Sequence, residues 1–348
     1  MRPFEADLDR VAARISALGF SDQQFFITGA TGLVGSMLVK ALLTANRLYG
    51  CGNTVTALVR DPEKARRMLS AYAGGDDLRF FVGDVTSPVA FEGEVDYVIH
   101  AASETKSVNM VNYPVETLWT SVCGSRNLLE LAREKNVSGM VYLSSMEAFG
   151  RTDPALERVA EKDIGFIDLM SVRSCYPESK RLVENLCVCY AKEYGLPVVS
   201  ARLAQTFGAG VSKTETRVFA QFARSAIEKK DIVLHTKGMS VGNYVYTADA
   251  AEAIFLLLKQ GAPGETYTVA NEATSIRIRD MAQMVADRLA NGEIRVVFDI
   301  PEQNTFGYAP DVEMRLSSKK LQALGWTPQV DLEEAYRRLI ADWEEAEE

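Results

Sequence analysis

The stretch 27–35 constrains the fold of this chain more than any other, because it places three glycines between two apolar segments of different periodicity. Residues 24–28 are apolar and rich in aromatic and β-branched side chains, which predicts a buried strand. Apolar residues then recur at helical spacing over 33–42, which predicts a helix. A strand, a glycine turn and a helix in succession allow a pyrophosphate to approach backbone N–H groups at a helix N-terminus. The sequence therefore predicts a dinucleotide-binding βα unit.

Strands and helices alternate after this unit. We predict strands at 24–28, 54–59, 78–82, 95–100, 139–144 and 197–203, and helices at 1–20, 62–71, 116–135 and 176–194. This alternation predicts an α/β fold with a doubly wound, mainly parallel sheet of the Rossmann type. Further helices are predicted at 217–229, 248–259, 278–289 and 332–343. We expect residues 1–205 to form an NAD(P)-binding domain with an N-terminal helix, and residues 206–348 a smaller α/β substrate-binding lobe.

Tyr176 and Lys180 form a second informative pair. They are four residues apart at the start of a predicted helix, so they share one helical face. An ammonium beside a phenol favours the phenolate, so we expect Lys180 to lower a phenol pKa that is about 10 in water. A tyrosine tuned in this way exchanges a proton near neutral pH. The pattern alone also occurs on ordinary amphipathic helices, and it gains weight from the glycine motif and from the serines that end the fifth predicted strand.

Ligands of such sheets bind at the carboxyl ends of the strands. Arg60 follows the second predicted strand directly, and Asp61 comes next. A basic residue at this point accommodates the 2′-phosphate of NADP, whereas an acidic one binds the ribose hydroxyl of NAD. We expect NADP or NAD as the coenzyme, with Arg60 favouring NADP.

Composition and charge limit the classes of function. The chain has 348 residues and a net charge of −9, which gives no reason to expect nucleic acid or an anionic membrane as a partner. No stretch of apolar residues is long enough to span a membrane, and the N-terminus lacks the pattern of a secretory signal. The five cysteines and two histidines lack the spacing of a structural zinc site, so we expect no metal and a reducing, cytoplasmic setting.

Several motifs together resemble the extended short-chain dehydrogenase/reductases, and within them the NAD-dependent epimerase/dehydratase family that acts on nucleotide sugars. The resemblance runs from about residue 24 to residue 343, and the stretch 173–181 is most similar to the UDP-glucuronate decarboxylase branch. The motifs that carry it are Thr28 to Gly35, Val98 to Ala102, Val141 to Ser145 with Phe149-Gly150, Tyr176 to Lys180, and Arg202 to Gly210.

The resemblance implies roles for individual residues. Tyr176 and Lys180 would be the catalytic pair, Ser145 their hydroxyl partner and Glu147 an assisting carboxylate. The coenzyme-binding residues would be Gly29, Thr31, Gly32, Leu33, Val34, Gly35, Arg60, Asp84, Val85, Ala101, Ala102 and Ser103, together with Tyr176 and Lys180. The substrate-binding residues would be Thr105, Gln205, Arg217, His235 and Arg315. His100 is expected to pack at the end of the fourth strand rather than act as a base.

Departures from the family pattern narrow the chemistry. Met146 stands where 4,6-dehydratases have an aspartate, which disfavours simple dehydration, while Glu147 matches the glutamate that decarboxylases keep. Gly242 stands where the family commonly has an arginine that grips the substrate diphosphate. Either another cation, Arg217 or Arg315, takes that role, or diphosphate binding is weaker, or the substrate is not a nucleotide sugar.

The sequence thus leaves three hypotheses. The first is an NAD(P)-dependent nucleotide-sugar epimerase, decarboxylase or ketoreductase that transfers a hydride at a sugar carbinol. The second is an NADP-dependent reductase or dehydrogenase of a small non-nucleotide carbonyl or alcohol. The third is a non-catalytic NAD(P)-binding sensor, which the intact Ser145, Tyr176 and Lys180 disfavour.

The helices 116–135 and 176–194 carry more apolar residues than one sheet face needs, among them Leu182, Val183, Leu186 and Val188, which predicts a homodimer.

Overall fold

A computed structural model describes residues 2–72, 74–301 and 312–345 of the chain. The helices are α1 (Pro3–Ala17), α2 (Leu33–Tyr49), α3 (Pro62–Met68), α4 (Ser107–Asn112), α5 (Pro114–Glu134), α6 (Cys175–Tyr194), α7 (Val218–Glu228), α8 (Thr247–Gln260), α9 (Ile278–Met284), α10 (Lys319–Gln322) and α11 (Leu332–Glu345). The strands are β1 (Gln24–Thr28), β2 (Thr54–Val59), β3 (Leu78–Val82), β4 (Tyr97–His100), β5 (Gly139–Ser145), β6 (Val198–Leu203), β7 (Gln205–Phe207), β8 (Ile232–Leu234), β9 (Val241–Gly242), β10 (Tyr244–Tyr246), β11 (Thr266–Val269), β12 (Ile276–Arg277) and β13 (Val296–Phe298).

Seven parallel strands form the central sheet, in the order β11-β6-β5-β4-β1-β2-β3. The strand order reverses between β1 and β4, and this is the point at which sheets of this type bind ligands. Two apolar clusters cover the sheet. The larger includes side chains of α1, α2 and α8, and the smaller includes side chains of α5 and α6. The expected α/β, doubly wound fold is confirmed.

The strands predicted at 24–28, 54–59 and 78–82 have the same bounds in the structure. The N-terminal helix is shorter than predicted and ends at Ala17, with Gly19 in a left-handed conformation just beyond it. The sequence did not indicate β11, a seventh strand of the central sheet that pairs with β6. The division at 205/206 stays a prediction. In the structure, however, α8 contacts α1 and α2, and β11 belongs to the central sheet, so residues of the predicted lobe complete that sheet.

A buried ion pair ties α6 to the ends of two central strands. Arg202 on β6 donates from Nη2 to Glu184 Oε2 at 2.6 Å and from Nε to Glu184 Oε1 at 2.9 Å. Ser144 Oγ, on β5, donates to the same Glu184 Oε1 at 2.5 Å. Both charged side chains are less than a tenth exposed. Because the carboxylate accepts from two strands at once, it fixes the height of α6 over the sheet edge.

We expect Glu184→Gln to destabilise the protein by about 3–5 kcal/mol, since it leaves the Arg202 guanidinium buried without its counter-charge. Urea unfolding would measure this change in the free energy of unfolding. The control is Glu333→Gln, which removes the carboxylate that pairs with the exposed Arg288 and Arg337 and should not shift the curve measurably. Equal stability of Glu184→Gln and wild type would contradict the importance of the buried pair.

Candidate active site

The glycine turn lies against the end of β4, at the reversal of strand order. Gly29 has φ +69°, and a Cβ placed on it would lie 2.6 Å from the carbonyl carbon of Ala101. A Cβ on Gly35 would lie 2.1 Å from the oxygen of Gly29, so only glycine allows α2 to start so close to the turn. Gly32 is the N-cap residue of α2 and is exposed. These are the steric features that a pyrophosphate site at a helix N-terminus requires.

Polar side chains join β1 to β4 beneath this turn. Thr28 Oγ1 accepts from the backbone N–H of Ala102 at 3.1 Å and is hydrogen-bonded to His100 Nδ1 at 2.8 Å. His100 Nε2 is hydrogen-bonded to Ser125 Oγ at 3.0 Å. Burial, with a smaller contribution from the charge of Lys180, lowers the pKa of His100 to about 3. The imidazole is therefore neutral and has a packing role, as the sequence suggested.

The side chains of Tyr176, Ser145 and Ser103 come together at the carboxyl edge of the sheet. Ser145 ends β5, Tyr176 lies in the first turn of α6, and Ser103 follows β4. Hydrogen bonds to Ser145 and Ser103 each favour the phenolate of Tyr176 and lower its pKa. The segment 101–103 thus contacts the glycine turn at Ala101 and the phenol at Ser103. It brings the two motifs that the sequence identified separately into one site.

Lys180 is buried beneath this group. Its Nζ donates to the backbone oxygen of Leu143 at 2.8 Å and lies 4.8 Å from the ring centroid of Tyr142 and 5.5 Å from that of Tyr176. Burial lowers the pKa of Lys180 to about 8, against the opposing charges of Glu184 and Glu147. The ammonium is therefore charged at neutral pH, and it is held next to two phenol rings.

The structure corrects the expected direction of the tyrosine shift. Burial, followed by the negative charge of Glu147, raises the pKa of Tyr176 to about 12. Hydrogen bonding and the charge of Arg173 oppose this shift without reversing it. The sequence argument counted the ammonium four residues away and omitted desolvation, which is the larger effect for a phenol that is 7% exposed. In this state Tyr176 carries its proton.

Glu147 is paired with an arginine to which the sequence analysis gave no role. Arg173 Nη2 donates to Glu147 Oε1 at 2.8 Å, and the guanidinium carbon lies 5.6 Å from the ring centroid of Tyr176. The backbone N–H of Glu147 donates to Ser145 Oγ at 3.2 Å. Arg173 is three residues before Tyr176, and this short spacing ahead of the helix was the signal available in the sequence.

The residues expected near the adenosine end of the coenzyme lie at the ends of β2 and β3. Arg60 is 80% exposed, and its Nη1 is 4.0 Å from Asp84 Oδ2. Asp61 accepts from the backbone N–H of Lys64 at 2.9 Å and caps α3. Asp84 also accepts from the backbone and side chain of Thr86, which lowers its pKa. Val85 is buried against α5, where a Cβ on Gly124 would meet it at 2.9 Å.

Gln205 and Gly242 lie on short strands outside the central sheet, and Arg315 lies on a segment beside one of them. Gln205 opens β7 and is in register with Tyr244 on β10. A Cβ on Gly242 would meet no atom within 4 Å. Next to this strand, the backbone N–H of Met314 donates to the oxygen of Val241 at 3.1 Å. Arg315 is therefore on the chain segment that runs beside Gly242, and its Nη1 lies 2.5 Å from Glu313 Oε1.

The remaining expected substrate residues have hydrogen-bond partners of their own. Arg217 Nη2 donates to Glu215 Oε2 at 2.8 Å, and its guanidinium lies over the ring of Phe219. His235 Nδ1 is hydrogen-bonded to the oxygen of Asp299 at 2.9 Å. Thr105 is exposed, and its backbone N–H donates to Glu104 Oε1 at 2.9 Å.

The family model described as "NAD dependent epimerase/dehydratase family" matches residues 25–270. Over 327 residues the chain is 27% identical to UDP-glucuronic acid decarboxylase 6 of Arabidopsis thaliana, covering 93% of this chain and 89% of that protein. It is 26% identical over 318 residues to UDP-glucuronic acid decarboxylase 1 of Xenopus tropicalis, covering 91% of this chain and 71% of that protein. The fold is similar to that of UDP-glucose 4-epimerase from Thermotoga maritima, solved with UDP-glucose. The TM-score is 0.77 at 21% identity, covering 93% of this chain and 100% of that chain.

Within residues 2–72, 74–301 and 312–345, no helix is both long enough and apolar enough to cross a membrane.

We expect the pH dependence of stability to reveal the buried charge of Lys180. Between about pH 8 and the unfolded pKa of 10.5, the unfolded chain binds more protons at this site than the folded chain, so folding becomes more favourable as pH rises. Urea unfolding of wild type and Lys180→Met at pH 7 and at pH 10 isolates this effect in their difference. The wild type should gain stability relative to Lys180→Met at the higher pH. A difference independent of pH would show that the lysine has an ordinary pKa.

Proposed function

The chain belongs to the NAD-dependent epimerase/dehydratase family, and we propose that it oxidises a carbinol carbon of a nucleotide sugar by hydride transfer to NAD or NADP. Of the reactions open to this chemistry, namely epimerisation, decarboxylation and ketoreduction, we favour decarboxylation. The two curated relatives are named as UDP-glucuronic acid decarboxylases, and Met146-Glu147 lacks the acidic pair of a dehydratase. One observation supports the proposal most strongly: the segment 101–103 contacts both the glycine turn and the Tyr176 phenol.

The glycine turn fits a dinucleotide, because the lack of a Cβ lets Gly29 and Gly35 pack tightly against the chain's own backbone, while Gly32 is exposed at the N-terminus of α2. We assign the pyrophosphate to the backbone of residues 29–35 and the ribose hydroxyls to Tyr176 and Lys180. When bound, the nicotinamide supplies a hydride acceptor. The adenosine end would lie near Arg60 and Asp84.

The chain's own groups then hold the reacting oxygen and move its proton. Ser145 and Tyr176 converge, so both hydroxyls can hydrogen-bond one substrate oxygen. Since the phenol is protonated in the described state, Tyr176 is ready to donate a proton to a carbonyl oxygen. To take a proton from a sugar hydroxyl, it must first lose its own. Lys180, which is charged at neutral pH and lies 5.5 Å from the ring, favours that loss.

For the coenzyme we propose a preference for NADP. The Asp61 carboxylate caps α3 and is engaged with a backbone N–H. Arg60 stands at the strand end with most of its side chain exposed. A guanidinium there supports binding of a 2′-phosphate.

We also propose a homodimer formed through α5 and α6. Val115, Trp119, Leu182 and Val188 are large apolar residues of these helices that stay between 43% and 60% exposed. Val183, which the sequence analysis counted with them, points into the core instead. Exposed apolar side chains on two adjacent helices support a protein interface.

The five cysteines are all unpaired in the structure, which supports the proposal of a reducing, cytoplasmic setting.

Gly242 supports the alternative, an NADP-dependent reductase or dehydrogenase of a small carbonyl or alcohol without a nucleotide. An arginine at this position would make bidentate, charge-assisted bonds to a diphosphate, and glycine cannot. Under the nucleotide-sugar proposal, Arg315 takes over this role from the neighbouring segment, in competition with Glu313.

We expect Tyr176→Phe to abolish turnover of a nucleotide sugar while coenzyme and substrate still bind, because the ring is kept and only the exchangeable proton is lost. Ser145→Ala should lower kcat by about a hundredfold to a thousandfold, as loss of one oxygen-binding donor does. Steady-state kinetics and coenzyme fluorescence titration measure the two properties. Full activity of Tyr176→Phe would contradict the assignment.

Calorimetric titration with UDP, CDP and dTDP separates the two functions. We expect one of these to bind, Arg315→Ala to weaken its affinity, and Gly242→Arg to strengthen it by about tenfold, since the space at residue 242 is open. Lack of affinity for all three in the wild type would overturn the nucleotide-sugar proposal and favour the small-carbonyl reductase.

A further inference from the structure

The Arg173 guanidinium lies just before the N-terminus of α6, beside the Tyr176 phenol. Arg173 belongs to the short 3₁₀ turn Val172–Ser174, which continues directly into α6. Its guanidinium carbon lies 5.6 Å from the ring centroid of Tyr176. A group bound by this guanidinium would therefore be close to the substrate carbon whose oxygen Tyr176 holds.

Within the part of the chain that the structure describes, only some N–H groups of the Arg173 guanidinium form hydrogen bonds. Nη2 donates to Glu147 Oε1 at 2.8 Å. Nη1 is buried, yet it has no hydrogen-bond partner among residues 2–72, 74–301 and 312–345. Because leaving a buried N–H donor unpaired is costly, this nitrogen has an unfilled capacity for an oxygen acceptor.

A nearby arginine, Arg181, has a structural role that contrasts with that of Arg173. Arg181 donates from Nε to the oxygen of Ala148 and from Nη2 to the oxygens of Phe149 and Gly165, at 2.6–3.1 Å. Arg181 thus anchors the backbone around the 3₁₀ turn after β5. Arg173 makes no comparable set of backbone contacts in the described chain, and its one carboxylate partner is itself a candidate site residue.

We propose, on the basis of the function proposed above, that Arg173 binds a carboxylate of the substrate and so selects a nucleotide hexuronate over the corresponding neutral nucleotide hexose. A guanidinium presents its N–H groups in a planar fork that matches a carboxylate, and Glu147 holds that fork in place through Nη2. A neutral hydroxymethyl group in the same position offers a weaker acceptor to Nη1. The carboxylate beside the reacting carbinol therefore distinguishes the hexuronate from the neutral hexose.

The test compares binding of UDP-glucuronate and UDP-glucose to coenzyme-saturated protein by calorimetry. The Tyr176→Phe background prevents turnover and keeps the ring under the guanidinium. We expect UDP-glucuronate to bind more tightly than UDP-glucose. Adding Arg173→Met should weaken UDP-glucuronate by about tenfold to a hundredfold and change UDP-glucose by less than about twofold. Adding Arg173→Lys, which keeps the charge and loses the fork, should give an intermediate loss. Arg288→Met, an exposed arginine paired with Glu333, is the matched control and should change neither affinity.

The outcomes separate this inference from the proposed function. If Arg173→Met weakens both ligands equally, or weakens neither, Arg173 is not the carboxylate receptor, while the nucleotide-sugar function still stands. If neither ligand binds to protein that has Arg173, the inference fails, and the titration with UDP, CDP and dTDP then decides whether the nucleotide-sugar function fails with it. Thermal unfolding of each variant checks that a loss of affinity is not a loss of folded protein.

Discussion

The carboxylate of Glu184 determines where helix α6 lies on the sheet, and the candidate site depends on that position. It accepts hydrogen bonds from Arg202 on β6 and from Ser144 on β5. Tyr176 and Lys180 are on the same helix, about two turns and one turn before Glu184 respectively, so their distance from the strand ends follows from this contact. Ser145 is the next residue after Ser144 and therefore has a fixed height relative to the helix. Burial makes the geometry strict, since separating the two groups would leave each charge buried without a counter-charge.

Desolvation also controls the acid–base state of the site. It raises the pKa of the Tyr176 phenol to about 12 and lowers that of the Lys180 ammonium to about 8. The phenol is left neutral and the ammonium charged at pH 7, with Glu147 and Arg173 forming an ion pair beside them. The site thus combines one proton donor, two cations and one carboxylate in a small volume, a set suited to substrates with developing negative charge on oxygen.

Much of the fold could be predicted from the sequence, namely those segments whose local pattern of apolar residues and glycines matches their position in the folded chain. The glycines at 29 and 35 require a close approach of backbone, and the structure places Ala101 and the turn itself at those points. Strand β11 was missed because it lies in a region with mixed patterns. The pKa of Tyr176 could not be predicted, because burial depends on how β4, β5 and α6 come together. The role of Arg173 depends likewise on Glu147, which is 26 residues away in sequence.

Segment 101–103 links binding at the glycine turn to the ionisation of Tyr176. At Ala101 it adjoins the turn where a dinucleotide would sit, and at Ser103 it supports the phenolate of Tyr176. A ligand that shifts this segment changes the hydrogen bonding of the phenol, so occupancy of the turn and ionisation of the tyrosine are linked equilibria. By reciprocity, each biases the other by the same free energy, and filling the turn exchanges protons with the buffer at pH values where the phenol titrates. The affinity for the dinucleotide would then depend on pH near the Tyr176 pKa of about 12, although no ionisable side chain of the glycine motif itself takes part.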